Sequence, residues 1–175
     1  MVTLAHLSDI HLAPLPPVRA RDLLGKRLTG YLNWRLKRHA TLDGEALGTL
    51  VAHLRAQKPN LTMVTGDLVN IALPLEFTEA RTWLESVGAP HDVSLVPGNH
   101  DAYVRGIREH FPQVWADYLR DDNAAPNSDA VFPYLRRRGP LVLIGVSTAI
   151  PTAPFMATGR LGQQQRGDLE KLLQQ

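Results

Sequence analysis

Three short, largely apolar segments that run into polar residues dominate the hydrophobic pattern of the chain. They are Val2–Leu7, which precedes Ser8 and Asp9, Leu61–Thr65, which precedes Gly66 and Asp67, and Val93–Val96, which precedes Pro97 and Gly98. Short apolar runs bounded by turn-forming residues are typical of buried strands. We therefore predict three core strands, each ending in a polar loop.

Two helical patterns separate these strands. The first spans Asp43–Gln57 and the second spans Leu75–Val87. Four aliphatic side chains share one face of the first helix: Leu47, Leu50, Val51 and Leu54. Strands that alternate with helices indicate a mostly parallel sheet, and ligands of such sheets bind beyond the carboxyl ends of the strands. We expect the three polar loops to gather there.

The second half of the chain has a different pattern. It predicts a helix over Ile107–Leu119 that is broken or kinked at Pro112, and then a polar loop over Asp121–Asp129. Two hairpin strands follow at Val131–Arg137 and Leu141–Thr148, and Leu161–Gln175 has the spacing of an amphipathic helix. The prediction is an α/β fold in a single domain, with a mostly parallel first sheet and the start of a second sheet.

Composition excludes several kinds of chemistry and gives little support for some classes of partner. The 175 residues include 19 basic and 17 acidic side chains, a balance that gives no strong signal for a nucleic-acid partner. The absence of cysteine excludes disulfides, thiolate zinc sites and cysteine nucleophiles, and it fits the cytoplasmic location that we expect. No run of about eighteen apolar residues occurs, so no membrane span is expected.

The polar loops carry candidate metal ligands. Asp9 and His11 are two residues apart, so an extended strand end would point both to one side, where they could grip one cation. Asp67 follows Gly66, and the third loop reads Gly98-Asn99-His100-Asp101. Each motif alone is weak, and the third could be a simple Asx turn. Their occurrence behind three successive strands favours a metal site with nitrogen and oxygen ligands.

The order D-x-H, GD and GNHD, each behind an apolar strand, resembles the signature of the calcineurin-like metallophosphoesterases. The resemblance extends over essentially the whole chain, and "LAHLSDIHL", "VTGDLVN" and "VPGNHD" are most similar to bacterial cyclic-nucleotide phosphodiesterase-like members. It implies that the chain is the N-terminal part of an α/β/β/α sandwich.

The resemblance also implies a role for each loop residue. Asp9 and His11 would bind the first of two metal ions, Asp67 would bridge both, and Asn99 would bind the second. His100 would face the substrate and protonate the leaving oxygen or stabilise charge, with Asp101 orienting it. The ions, manganese, iron, zinc or cobalt, would share a hydroxide that attacks a small phosphate ester, with a cyclic nucleotide as one candidate.

The chain departs from the complete family pattern near its end. That pattern continues with a strand-ending histidine after the helix at Leu161–Gln175 and with a later GH-x-H motif, and neither is present. We therefore expect an incomplete domain. A non-catalytic scaffold or inactive fragment is the alternative, and a nuclease of the same family is disfavoured by the charge balance.

Two basic segments stand apart from these motifs. Between Arg19 and Arg38, one acid, Asp22, accompanies seven basic residues: Arg19, Arg21, Lys26, Arg27, Arg35, Lys37 and Arg38. An interfacial membrane helix, a basic lid and a helical insert beside the site with a solvated basic face are all compatible with this pattern, and the insert is favoured. Arg136–Arg138 is interpreted as a solvated strand end without a site.

Overall fold

A three-stranded parallel sheet forms the centre of the protein. The computed structural model describes residues 2–38, 44–107, 111–125, 129 and 132–174. Strands β1 (Leu4–Leu7), β2 (Leu61–Thr65) and β3 (Val93–Val96) lie in the order β1-β2-β3. Both pairings are parallel, so the loops that leave the three strands emerge at one edge. The predicted strands and their direction are confirmed.

Helices precede and connect the strands. They are a 3₁₀ turn at Ala20–Leu23, α1 at Lys26–Asn33, a π-helical turn at Trp34–Arg38, α2 at Gly44–Ala56, α3 at Pro74–Val87, α4 at Phe111–Trp115, a 3₁₀ turn at Ala116–Tyr118 and α5 at Gln163–Leu173. The two helices predicted between the strands are confirmed, although the predicted first residue, Asp43, lies outside the described residues. No helix in the described ranges is long and apolar enough to span a bilayer.

The hydrophobic core lies between β2, β3 and the helices that pack on them. Helix α3 contributes side chains at helical spacing, namely Phe77, Ala80, Leu84 and Val87, and all four are buried. Trp115 is fully buried against them and donates its indole N–H to the Phe77 carbonyl at 3.0 Å. This packing holds the ends of β2 and β3 in place.

Two helical predictions are confirmed only in part. The predicted helix over Ile107–Leu119 is seen as α4 and the 3₁₀ turn that follows it, with Pro112 inside α4. Residues 108–110 lie outside the described residues, so the predicted break or kink at Pro112 stays a prediction. In α2, Val51 and Leu54 are buried but Leu50 is 47% exposed, so the predicted apolar face is covered only in part.

The predicted hairpin is confirmed as an antiparallel pair, β4 (Tyr134–Arg138) and β5 (Leu141–Gly145), and Val131 lies outside the described residues. The Tyr134 hydroxyl connects this pair to the first sheet, since it donates to the Leu95 carbonyl at 2.6 Å and lies 2.7 Å from the Ser94 hydroxyl. The predicted C-terminal helix forms as α5, but none of its residues is buried.

Arg136 contradicts the prediction of a solvated strand end. Its side chain is 2% exposed, and burial lowers the pKa of its guanidinium. The guanidinium donates hydrogen bonds to the backbone carbonyls of Pro90, His91, Val93, Asp117 and Arg120. Arg136 therefore links β4 to the start of β3 and to the turn after α4.

Replacing Arg136 with alanine is expected to lower the free energy of unfolding by roughly 3–5 kcal/mol, because several buried carbonyls lose their donor. Urea denaturation measures the effect. Arg137→Ala is the matched control, since the Arg137 side chain is exposed on the same strand. Equal urea midpoints for the two variants would contradict the role given to Arg136.

Candidate functional site

The loop after β2, residues 66–73, is the structural centre of the candidate site. Every residue in it is buried, although none belongs to a helix or strand. Buried backbone N–H and C=O groups must find hydrogen-bond partners, or the fold loses stability. Their partners are backbone N–H groups of the loop after β1 and side chains from several parts of the chain.

Asp101 binds the first part of this loop. One oxygen of its fully buried carboxylate accepts hydrogen bonds from the backbone N–H groups of Asp67 and Gly98, and the other accepts from Leu68 and Val69. Burial raises the pKa of Asp101 to about 7, and the nearby Asp67 charge raises it too, while the backbone N–H groups oppose both effects. The carboxylate thus joins the β2 loop to the loop after β3.

Glu76 and Arg27 hold the rest of the β2 loop. The Glu76 carboxylate accepts hydrogen bonds from the backbone N–H groups of Asn70, Ile71 and Leu73. The Arg27 guanidinium donates to the carbonyls of Ile71 and Ala72, at 3.1 and 2.6 Å. An arginine of the basic segment therefore has a structural role inside the molecule.

Two histidine rings bind two further carbonyls of the loop. His11 Nδ1 lies 3.1 Å from the Val69 oxygen, and His100 Nδ1 lies 2.6 Å from the Asn70 oxygen. Because a carbonyl only accepts, each Nδ1 carries the proton, and a neutral ring then keeps its lone pair on Nε2. Metal-ligating histidines typically show this arrangement.

The orienting role predicted for Asp101 is therefore corrected. The contact that orients the His100 ring is its hydrogen bond to the Asn70 carbonyl, whereas the Asp101 carboxylate receives backbone N–H groups. The sequence suggested the other pairing because Asp101 and His100 are neighbours. In the fold, Asp101 acts on the loop that positions His100 and supports the ring indirectly.

His11, Asp67 and His100 form a cluster suited to a cation. One ligand atom from each lies within 4.8 Å of the others. The Asp67 carboxylate also accepts the His100 backbone N–H at 2.8 Å, and the two imidazole rings meet edge to face with centroids 4.7 Å apart. A carboxylate and two imidazoles at this separation fit a divalent transition-metal ion better than calcium.

Asp9 and Asn99 lie beside this cluster. Within the described residues, Asp9 is not part of it, but Asp9, Asp67 and Asn99 line one cavity of about 390 Å³, the carboxylate cavity. The predicted extended geometry is wrong, because Asp9 and His11 both have positive φ, 55° and 44°. Their backbone N–H groups bind the carbonyls of Gly66 and Asp67, so the loops after β1 and β2 run side by side.

Backbone strain is concentrated at the candidate ligands. Asp9, His11 and Asp67 all adopt positive φ, which costs on the order of 1–3 kcal/mol for each residue that is not glycine. Such strain persists where the surroundings fix it, and it is common at functional sites. Gly66 also adopts a positive φ. A glycine is required there for a further reason, because a Cβ would overlap the backbone of Gly98.

A second cavity, of about 340 Å³, adjoins the cluster and is called the aromatic cavity. Its walls include Lys26, Asn70, Asn99, His100 and Tyr103. The Tyr103 ring stacks on His100 at 5.3 Å between centroids, and Lys26 Nζ lies 4.3 Å from the centre of the same ring. Helix α1 thus packs beside the site, as predicted for the basic insert.

Asn70 and Tyr103 were not predicted from the sequence. Asn70 Oδ1 is buried and accepts no hydrogen bond from the described residues, while its carbonyl orients His100. A polar residue inside the apolar run Leu68–Leu73 was an available signal for Asn70. Nothing local distinguished Tyr103.

Comparisons with known proteins agree with this geometry. A family model described as calcineurin-like phosphoesterase matches residues 2–170. The chain is 34% identical over 76 residues to glycerophosphodiester phosphodiesterase GpdQ of Enterobacter lignolyticus (strain SCF1), covering 39% of this chain and 27% of that protein. It is 30% identical over 125 residues to methylthioalkylmalate synthase 1, chloroplastic, of Arabidopsis thaliana, covering 64% of this chain and 24% of that protein. The chain spans about a quarter of the length of these relatives.

The two relatives have names that denote different chemistries. The family model covers nearly the whole chain and agrees with the phosphodiesterase. The synthase match covers 64% of this chain and the phosphodiesterase match 39%, whereas the family model spans residues 2–170. The cluster of His11, Asp67 and His100 could hold a metal ion, which agrees with the metal dependence of the matched family.

Replacing Asp101 with asparagine is expected to lower the free energy of unfolding by about 3 kcal/mol, since an amide NH₂ cannot accept from two of the backbone N–H groups. Urea denaturation measures the change. Asp92→Asn is the control, because the Asp92 side chain is 58% exposed, and its urea midpoint should stay at the wild-type value. An Asp101 variant as stable as the control would show that the carboxylate does not hold the loops.

Proposed function

The chain belongs to the calcineurin-like phosphoesterase family, whose members are metal-dependent hydrolases of phosphoric esters, and we propose that it hydrolyses a small phosphodiester at a centre of two metal ions. The observation that carries this proposal is the convergence of three loops, from β1, β2 and β3, which brings His11, Asp67 and His100 together. The family match over residues 2–170 gives that cluster its chemical context.

In this proposal Asp9 and His11 would hold the first metal ion, Asn99 would hold the second, and Asp67 would be a ligand of both. The carboxylate cavity supports the assignment, since Asp9, Asp67 and Asn99 share its wall. The Nδ1 hydrogen bond of His11 also leaves Nε2 for a ligand role. Manganese, iron, zinc and cobalt all suit this mixture of carboxylate, imidazole and amide donors.

The residues then divide the chemistry between them. Bound cations would supply positive charge against the phosphoryl oxygens and lower the pKa of a shared water molecule. The Asn70 carbonyl holds His100 at Nδ1 and Tyr103 stacks on its ring, so the doubly protonated imidazolium would donate the Nε2 proton to the leaving oxygen or stabilise charge there. The aromatic cavity lies beside His100 and would take the organic substituent of the ester.

A diester is favoured over a monoester by the comparison with known proteins. The relative named glycerophosphodiester phosphodiesterase matches part of this chain at 34% identity. The aromatic cavity beside the carboxylate cavity offers room for one organic group of the ester. Cyclic nucleotides are one candidate within this class.

Manganese binding is expected to stabilise the folded chain. At a free concentration about 100 times Kd, a ligand that binds only the folded state adds about 2.7 kcal/mol. Urea denaturation with and without Mn²⁺ should show this gain for the wild type and for His91→Ala, whose side chain is 69% exposed. His11→Ala and Asp67→Ala should lose it, and a full Mn²⁺ gain in both would place the metal elsewhere.

Hydrolysis of bis(p-nitrophenyl) phosphate with Mn²⁺ tests the activity of the 175-residue chain. We expect His100→Asn to lower kcat by roughly 10²–10⁴-fold, the usual contribution of a general acid. Asp67→Ala should abolish turnover, and His91→Asn should match the wild type.

The two assays together separate the possible failures. If Mn²⁺ stabilises the chain but the diester is not hydrolysed, the proposed metal centre is supported. Catalysis by this polypeptide on that substrate is then excluded. A chain that neither binds the metal nor hydrolyses would support the non-catalytic scaffold instead.

A further inference from the structure

The basic insert has an unusual outer face, made of leucine. Four leucines at intervals of four residues are exposed to solvent: Leu24 at 78%, Leu28 at 47%, Leu32 at 49% and Leu36 at 82%. Leu28 and Leu32 lie four apart on α1 and so share one side of that helix, and α1 runs directly into the π-helical turn that carries Leu36, whereas Leu24 lies in the turn before α1. We call this row the leucine face.

The opposite side of the insert is already engaged with the protein. Arg27 binds the carbonyls of Ile71 and Ala72, and Lys26 binds the Thr152 hydroxyl at 2.9 Å and lies over Tyr103. A Cβ on Gly30 would overlap the Tyr103 hydroxyl, so a glycine there lets the helix approach closely. The insert is therefore fixed with its leucines outward, and these apolar side chains were not part of the predicted solvated basic face.

Charge accompanies the leucine face. Arg19, Arg21 and Arg35 are exposed on the same insert. The acid of the segment, Asp22, has its carboxylate 3.1 Å from the Arg19 backbone N–H, where it caps the 3₁₀ turn. Apolar side chains bordered by arginines are the composition of helices that lie in the interface of an anionic bilayer.

Two further apolar residues lie at the mouth of the aromatic cavity. Phe155 is 97% exposed and Met156 is 50% exposed, and both line that cavity opposite Lys26 and His100. Phe155 has a φ of 64°, a strained value for a bulky residue that gains nothing from burial in the protein. The cavity rim and the insert that forms its wall therefore both expose apolar groups.

We propose that the leucine face binds an anionic membrane surface and brings the aromatic cavity to the level of the lipid headgroups. A lipid surface matches both parts of the face at once, since acyl chains receive the leucines and headgroup phosphates receive the arginines. A second copy of the chain would place the same arginines against one another in a two-fold contact, which costs binding energy. This docking is independent of the proposed hydrolysis.

Vesicle sedimentation tests the proposal with the whole chain. Wild-type protein should bind phosphatidylcholine vesicles that contain phosphatidylglycerol, and high salt should weaken the binding. The triple variant Leu28→Ser/Leu32→Ser/Leu36→Ser should lower the partition coefficient about 100-fold, because each serine removes apolar area from the contact. Arg21→Glu/Arg35→Glu should lower binding to the anionic vesicles alone.

A matched control removes three exposed leucines from other helices. Leu50, Leu75 and Leu173 are 47%, 55% and 69% exposed, and replacing all three with serine should leave vesicle binding at the wild-type level. Circular dichroism verifies that each variant is folded. Wild-type protein that does not bind anionic vesicles, or a leucine-face variant that binds as tightly as wild type, overturns the proposal. Light scattering would also overturn the proposal if it showed that the wild-type protein is a dimer and that the leucine-face substitutions dissociate it. The leucine face would then bind a second copy of the chain.

None of these measurements uses hydrolysis as a readout. A chain that binds vesicles but does not cleave a diester would refute the proposed activity and leave the docking surface standing. A chain that cleaves the diester but does not bind vesicles would support the proposed activity and refute the docking surface.

Discussion

The structure depends on one constraint, the hydrogen bonding of the buried loop at residues 66–73. This segment follows the central strand and passes through the interior without helix or strand partners. Its N–H groups bind the Asp101 and Glu76 carboxylates, and its carbonyls bind Arg27, the two histidine rings and backbone N–H groups of the loop after β1. Few buried backbone N–H and C=O groups in proteins lack a hydrogen-bond partner, so these side chains bind the loop before any ligand binds.

The same side chains form or border the site. The carbonyls of the loop fix the protonated nitrogen of each histidine, and the loop brings an Asp67 carboxylate oxygen within 4.8 Å of a nitrogen of each ring. Arg27 fastens the basic insert to the loop, which sets Lys26 on the cavity wall and turns the leucine face outward. One network of hydrogen bonds therefore positions the cluster, the cavity and the exposed surface together.

Local sequence was enough to predict the framework. Short apolar runs between turn-forming residues specify strands by pattern alone, and β2 and β3 begin and end where that pattern does. The position of each polar loop behind a parallel strand then follows from topology, which is why the cluster of His11, Asp67 and His100 was foreseeable. The family resemblance rested on the same residues and is borne out by the family match.

Only the tertiary structure decided which atoms meet. Asp101 turns to N–H groups more than thirty positions away rather than to its neighbour His100, because burial leaves its carboxylate no water. Arg136 is buried and binds carbonyls of two separate segments, which no run of three arginines indicates. The exposure of Leu28 likewise depends on where Arg27 finds its partners. A sequence records which groups need partners, whereas the choice among partners is a balance of desolvation and geometry over the whole fold.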